Sequence, residues 1–231
     1  MNKLLKTISV SVLGAAMLSP VLSTVVFAAT AASEQQATRN LVQQLSNIKS
    51  FSANFEQTTK ATAGTKPAQR TGLSAQHMNQ TFVGEMKVER PGKFYWETKT
   101  PAKQTIVTSG KTVWIYDPDL QQAVRQTLDD QVANTPALLL SGNTAQIMQA
   151  YRVAQPDQSK TYYRLYPRVK DSAFQSLTIS FGTNKAPNMM VLLDSLGQTT
   201  SIRFNNVKVN PSIPASVFNF TPPKGTDIIN Q

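Results

Sequence analysis

Residues 82–96 read FVGEMKVERPGKFYW, and their alternation of apolar with charged side chains decides the fold. The apolar side chains that share one phase are Phe82, Met86, Val88, Phe94 and Trp96. A period of two is typical of a β-strand with one buried face and one solvated face. Pro91 and Gly92 interrupt the alternation with a turn signal. The stretch therefore predicts two strands joined by a tight turn.

The same phase places an arginine, Arg90, on the apolar face of this predicted hairpin. A guanidinium that faces a hydrophobic interior is unfavourable unless hydrogen bonds satisfy its donors. Two interpretations are open at this point. In the first, Arg90 ends its strand and extends its charged group to water. In the second, Arg90 forms a polar latch inside an apolar cavity.

The remaining sequence contains many short alternating segments and two helical ones. The first predicted helix, Glu34–Ile48, has apolar residues at spacings of three and four. The second, Thr135–Ala150, is broken near Gly142, and residues 61–80 are predicted to form a loop. The predicted strands cover residues 50–60, 82–98, 104–108, 112–116, 121–125, 161–167, 174–182, 188–194 and 199–209, with an extended tail through Val217–Phe220.

This succession of elements predicts a mainly β fold of the α+β class in a single domain. About eleven antiparallel strands favour an incomplete, strongly curved β-barrel. The two helical segments are expected to form an α-helical lid over a hydrophobic cavity. Methionine side chains adapt to irregular hydrophobic ligands, and four of them support a binding role: Met86, Met148, Met189 and Met190.

The N-terminal residues have the pattern of an export signal. Lys3 and Lys6 precede an apolar segment, and Val26-Phe27-Ala28 provides the small residues of a cleavage site. We therefore predict a cleaved signal peptide over residues 1–28 and one large domain over 29–231, periplasmic if the cell has two membranes. The chain contains no cysteine, which excludes disulfides and a lipid-modified cysteine. Its formal net charge is +10, but the basic residues are dispersed, so no nucleic-acid partner is predicted.

The sequence lacks the reactive groups that most enzymes need. His77 is its only histidine and lies in the predicted loop. With no cysteine, a metal site built on histidine and cysteine cannot form. Gly110-Lys111-Thr112 lacks the earlier glycine of a phosphate-binding loop and joins two predicted strands. We therefore predict no catalytic residues, no metal and no cofactor.

Five stretches together resemble the periplasmic outer-membrane lipoprotein carrier family of the Lol system. They are Ser50–Gln57, Val88–Trp96, Ser109–Pro118, Asn134–Pro136 and Phe218–Gly225. They occur in the family's order across nearly the whole mature chain. The resemblance implies an incomplete antiparallel barrel with a helical lid that encloses lipoprotein acyl chains. It also implies a monomer that meets membranes only transiently. The implied partners are an inner-membrane lipoprotein-releasing ABC transporter and an outer-membrane lipoprotein receptor.

The resemblance also assigns expected roles to individual residues. Arg90 matches an arginine that hydrogen-bonds the lid backbone and holds the empty pocket shut. Leu140 matches a lid residue, and Met190 matches the sheet residue that meets it when the lid is closed. The residues expected around the cavity and lid are Phe82, Met86, Phe94, Trp96, Leu138, Leu140 and Met190. The alternative function is a periplasmic lipid-binding sensor or regulatory module on the same fold, which would bind lipid without transferring it.

Overall fold

The computed structural model describes residues 22–61, 80–127, 140–142, 144–169, 172 and 174–231. These residues form two α-helices, one short 3-10 helix and twelve strands. The helices are α1 (Leu22–Ser46) and α2 (Thr144–Ala150), and the 3-10 helix is Ala215–Phe218. The strands are β1 (Ser50–Ala61), β2 (Thr81–Glu89), β3 (Lys93–Thr100), β4 (Gln104–Ser109), β5 (Thr112–Asp117), β6 (Gln122–Thr127), β7 (Tyr151–Ala154), β8 (Tyr162–Pro167), β9 (Phe174–Phe181), β10 (Pro187–Asp194), β11 (Gln198–Val209) and β12 (Asp227–Asn230).

All twelve strands belong to one sheet, in the order β12-β6-β5-β4-β3-β2-β1-β11-β10-β9-β8-β7. Neighbouring strands are antiparallel except for β12, which pairs parallel with β6. β1 pairs with both β2 and β11, so the first strand and the penultimate strand of the chain are neighbours near the centre of the sheet. The predicted fold class, an unclosed antiparallel sheet in a mainly β domain, is confirmed, with twelve strands in place of about eleven.

The sheet has an inner face that carries most of the hydrophobic core. Helix α1 packs against this face through residues spaced three or four apart, as an amphipathic helix does. These buried residues of α1 and the following turn are Ala37, Leu41, Leu45 and Ile48. They join one buried cluster with inward-facing residues from β1, β2, β3 and β7 to β11. The opposite, outer face of β3 and β4 is covered by the 3-10 helix and its buried Phe218.

The first helix begins earlier than the sequence pattern predicts. It was expected over Glu34–Ile48 and extends over Leu22–Ser46, so its first turns lie within the predicted leader. The apolar leader residues continue the helix because nothing helix-breaking separates them from it. Within the described residues, no helix combines the length and apolar character needed to cross a membrane.

Two strands were not predicted. Strand β7, Tyr151–Ala154, lies at one end of the sheet and has only four residues. No element was predicted for these residues, which directly follow the predicted end of the second helix at Ala150. Strand β12 near the C-terminus pairs with a strand about one hundred residues earlier, and local patterns do not encode such partners. Most of the predicted 61–80 loop lies outside the described residues. Most of the predicted second helix also lies outside them, and α2 is the C-terminal part of that predicted helix.

A close approach at Gly84 explains why β2 carries a glycine in its inward phase. Gly84 pairs with Phe55 on β1. A Cβ atom at this position would lie 1.9 Å from the Glu97 carbonyl oxygen and 2.6 Å from Phe55 Cζ. Contacts this short are prohibited by van der Waals repulsion. Glycine therefore leaves the space that the fully buried Phe55 ring occupies.

Candidate functional site

The turn between β2 and β3 brings Arg90 to the segment that precedes α2. Arg90 follows the last residue of β2, and its Nε donates a hydrogen bond of 2.8 Å to the Leu140 carbonyl oxygen. The same turn donates a second bond, 2.9 Å from the Gly92 amide to the Ser141 carbonyl oxygen. The Arg90 amide donates to the Lys49 carbonyl oxygen at 2.8 Å. The turn thus joins the sheet to residues 140–141 by one side-chain bond and one backbone bond.

The Arg90 guanidinium is held by a carbonyl oxygen and not by a carboxylate. Among the residues that the structure describes, no Asp or Glu lies within ion-pair distance of it. Burial lowers the pKa of Arg90 to about 10, because an apolar environment disfavours the charged form. The side chain therefore stays protonated at neutral pH. Its terminal nitrogen Nη2 is buried and has no hydrogen-bond partner within the described part of the chain.

The predicted apolar residues of β2 and β3 lie side by side on the inner face. Met86 pairs directly with Trp96 across the two strands. The ring of Phe55 stacks on Trp96 with centroids 3.7 Å apart, and the Phe94 ring lies 6.2 Å from Trp96. Met86, Phe94 and Trp96 are at most 6% exposed. The indole nitrogen of Trp96 donates to Thr98 Oγ1 at 3.2 Å, so its polar group is satisfied inside the core.

The other predicted site residues are distributed around this aromatic cluster. Leu140 and Met190 are both buried and belong to the same core cluster, with Met190 on β10 between Ile179 and Ile202 of the neighbouring strands. Phe82, near the start of β2, is only half-buried. Leu138 lies outside the described residues. The structure therefore places Arg90, Phe94, Trp96, Met86, Leu140 and Met190 around one apolar interior.

Sequence reasoning missed two residues that shape this interior. Phe55 provides the closest aromatic contact to Trp96, and Gly84 provides the space for its ring. Both lie in the inward phase of their strands, so the alternation could have identified them. Leu41 and Leu45 of α1 are fully buried against the same cluster. Within the described residues, no group of Asp, Glu or His side chains is arranged to hold a metal ion.

The arrangement has a clear chemical character. The inner face is lined with aromatic, aliphatic and thioether side chains, and its principal polar feature is the Arg90 contact to Leu140, in the turn that precedes α2. The buried core residues named above belong to one cluster with Leu41 and Leu45 of α1, with Leu140, and with Ile147 of α2. The described apolar side chains of this face are thus buried in contact with one another.

The fold and the site together define a class: a curled, unclosed antiparallel sheet whose apolar inner face is covered by helices. Residues 46–221 match the sequence model of the family described as "Outer membrane lipoprotein carrier protein LolA". The chain belongs to this family.

Relatives of this chain share much of its length. An "Outer-membrane lipoprotein carrier protein" from Pseudomonas fluorescens is 40% identical over 216 residues, covering 93% of this chain and 98% of the relative. A protein of the same name from Hahella chejuensis is 42% identical over 190 residues, covering 81% and 85%. A crystal structure of a LolA superfamily protein from Nitrosomonas europaea superposes with a TM-score of 0.46 at 14% identity, over 80% of this chain and 98% of that one.

Proposed function

We propose that this chain is a periplasmic carrier of outer-membrane-directed lipoproteins. It receives them from an inner-membrane ABC releasing complex, shields their acyl chains in its interior and passes them to an outer-membrane receptor. Family membership supports the carrier role. The observation that carries the proposal is the 2.8 Å bond from Arg90 to Leu140, because it joins the turn that precedes α2 to an otherwise apolar inner face. The carrier acts as a soluble monomer after removal of residues 1–28.

The apolar interior supplies the binding energy that acyl chains require. Transfer of acyl chains from water contributes about 0.8 kcal/mol per methylene, so one long chain gains roughly 12 kcal/mol. Such tight binding alone would trap the lipoprotein. A carrier therefore needs an opposing free energy that lowers its affinity for the acyl chains.

The closed conformation provides this opposing contribution. Phe94, Trp96 and Met86 already contact one another and share one buried cluster with Leu41 and Leu45 of α1, so entry of an acyl chain must displace the helices. Displacement breaks the Arg90–Leu140 bond and leaves a charged group beside hydrocarbon. The affinity for lipoprotein is reduced by the free energy needed to reach the open state. Release to a receptor of higher affinity is then favourable because the empty carrier closes again.

The proposal is tested by asking whether the purified protein releases lipoprotein from membranes. Spheroplasts with labelled lipoproteins are incubated with the wild-type protein, and the label is measured in the supernatant. We expect soluble lipoprotein to appear with the wild-type protein and to be strongly reduced with Phe94→Glu, because a carboxylate is unfavourable in this interior. The control is Val83→Glu, which introduces the same charge at a position of the same hairpin that is 40% exposed.

Two results would contradict the proposal. If Phe94→Glu, shown to be folded, released as much lipoprotein as the wild-type protein, the inner face would not be the binding site. If the wild-type protein bound lipoprotein but never passed it to outer-membrane vesicles, the chain would act as a lipid-binding sensor and not as a carrier.

A further inference from the structure

The outer face of the sheet contains a second, separate recess. After β11 the chain crosses the outer face, where the 3-10 helix lies on β3 and β4 before β12 joins β6. Phe218 of this segment is 1% exposed and fixes its position. A recess of about 310 Å³ lies between the segment and strands β4 to β6. Its lining residues are Val107, Thr112, Trp114, Arg125, Phe218, Asn219 and Phe220.

Aromatic rings form the walls of this recess and hold one another in place. The ring of Phe220 lies 5.6 Å from that of Trp114 and 5.4 Å from that of Tyr116. Trp114 and Tyr116 point outward because they alternate with the inward residues Val113 and Ile115 of β5. Trp114 and Phe220 remain partly exposed. Preformed aromatic walls of this kind bind an apolar side chain without a large ordering cost.

One arginine lines the recess and one lysine lies nearby. The Arg125 guanidinium lies 5.8 Å from the centre of the Trp114 ring, and Lys93 Nζ lies 5.8 Å from that of Phe218. Lys93 is paired with Glu89, so Arg125 provides the positive charge of the recess itself. Arg125 is exposed, and within the described residues no carboxylate lies within ion-pair distance of it. The lining contains no acidic residue. A planar guanidinium stacked on an aromatic ring is well suited to bind a carboxylate.

We propose that this recess is a docking site for a partner polypeptide, which inserts one bulky apolar side chain flanked by carboxylates. The apolar side chain fits between Trp114 and the Phe218–Phe220 segment, and a carboxylate pairs with Arg125. The volume matches one or two side chains and is at the lower limit for small-molecule pockets. A site on the outer face lets a partner hold this protein while the helices on the inner face stay free to open. The proposal does not depend on what the interior binds.

The two tryptophans, Trp96 and Trp114, make the test specific because they lie on opposite faces of the sheet. The ¹⁵N-labelled protein is titrated with a short peptide that has one phenylalanine between two aspartates. We expect the indole N–H signal of Trp114 to shift saturably while that of Trp96 stays unchanged. Trp114→Phe identifies the signals. A peptide with lysines in place of the aspartates is expected to bind at least tenfold more weakly.

Charge reversal at the recess provides the second measurement. Arg125→Glu is expected to weaken binding of the acidic peptide at least tenfold. Arg164→Glu, which reverses an exposed charge on the outer face of β8, is expected to leave binding unchanged. The spectra themselves report whether each variant is folded.

Three results would overturn the proposal. The first is an unchanged Trp114 signal at millimolar peptide. The second is a shift of Trp96 alone, which would show that the peptide enters the interior as apolar cargo. The third is a Trp114 response to anionic phosphatidylglycerol vesicles with none to the peptide, which would make the recess a membrane contact. Loss of lipoprotein release by Phe94→Glu has no bearing on any of these outcomes.

Discussion

Replacing Arg90 by leucine distinguishes two hypotheses: that Arg90 holds the empty protein closed, as a latch, or that it only supports the fold. In the closed protein, Arg90 Nε donates to the Leu140 carbonyl oxygen at 2.8 Å. In the proposed mechanism, cargo displaces residue 140, which breaks this bond and exposes the guanidinium to acyl chains. Leucine has no donor to lose and adds apolar surface to the interior. Arg90→Leu is therefore expected to stabilise the loaded state relative to the empty closed state.

The structure allows the size of this effect to be estimated. A hydrogen bond to a charged group contributes about 1.5–3 kcal/mol. If this contribution is lost only in the loaded state, its removal raises the affinity for lipoprotein roughly ten- to a hundredfold. The pKa of Arg90, lowered by burial to about 10, keeps the group charged at neutral pH. Handover by the wild-type protein is therefore expected to show no Arg90-dependent change between about pH 6 and pH 8.

The assay follows a labelled lipoprotein from the loaded carrier to purified receptor or outer-membrane vesicles. We expect Arg90→Leu to accept lipoprotein from spheroplasts normally and to transfer it at least tenfold more slowly than the wild-type protein. Arg164→Leu removes an exposed arginine from the outer face of β8 and serves as the matched control.

The latch explanation would be refuted by a folded Arg90→Leu protein that transfers lipoprotein at the wild-type rate. It would also be refuted if uptake and transfer fell together with a lower melting temperature. That result would show that Arg90 acts mainly by supporting the turn between β2 and β3.

Three further predictions concern the fold and the leader. Gly84→Ala places a Cβ atom 1.9 Å from the Glu97 carbonyl oxygen. Denaturant unfolding is expected to show that the free energy of unfolding falls by about 1–3 kcal/mol or more. Gly182→Ala is the control with a smaller expected effect, because the nearest atom to its Cβ is a side-chain oxygen at 3.1 Å. Burial raises the pKa of Tyr151 to about 12, so the free energy of unfolding should fall between about pH 10 and pH 12, and less steeply in Tyr151→Phe. Intact-mass measurement of the exported protein is expected to show a chain that starts near Ala29, and retention of residues 1–28 would contradict this.

The period-two alternation was sufficient to predict most of this sheet. Successive side chains of a strand point to opposite faces of the sheet, so every second side chain is buried when one face is covered. Met86 and Phe94 are buried for this reason. The same argument placed Arg90 on the inner face, where the structure has it bonded to Leu140. For these residues, local pattern and final environment agree.

The remaining features depend on contacts between distant parts of the chain. The partner of Arg90 lies fifty residues later, and alternation carries no information about which carbonyl will be near. The pairing of β12 with β6 and the Phe220–Trp114 contact likewise join segments about one hundred residues apart. The sequence could suggest that Trp114 is outward but not that a C-terminal segment covers that face.

The linear strand order of the sheet has a mechanical consequence. In a closed barrel, the number of strands and their stagger fix the radius. Here β7 and β12 occupy opposite ends of the sheet, so its described strands can coil more tightly or loosen without breaking a rung between neighbours. The width of the space around which the sheet curves can therefore change through small changes of twist spread over the twelve strands. Under the proposed function, such a sheet accommodates acyl chains of different total width and keeps the same hydrogen bonds between its strands.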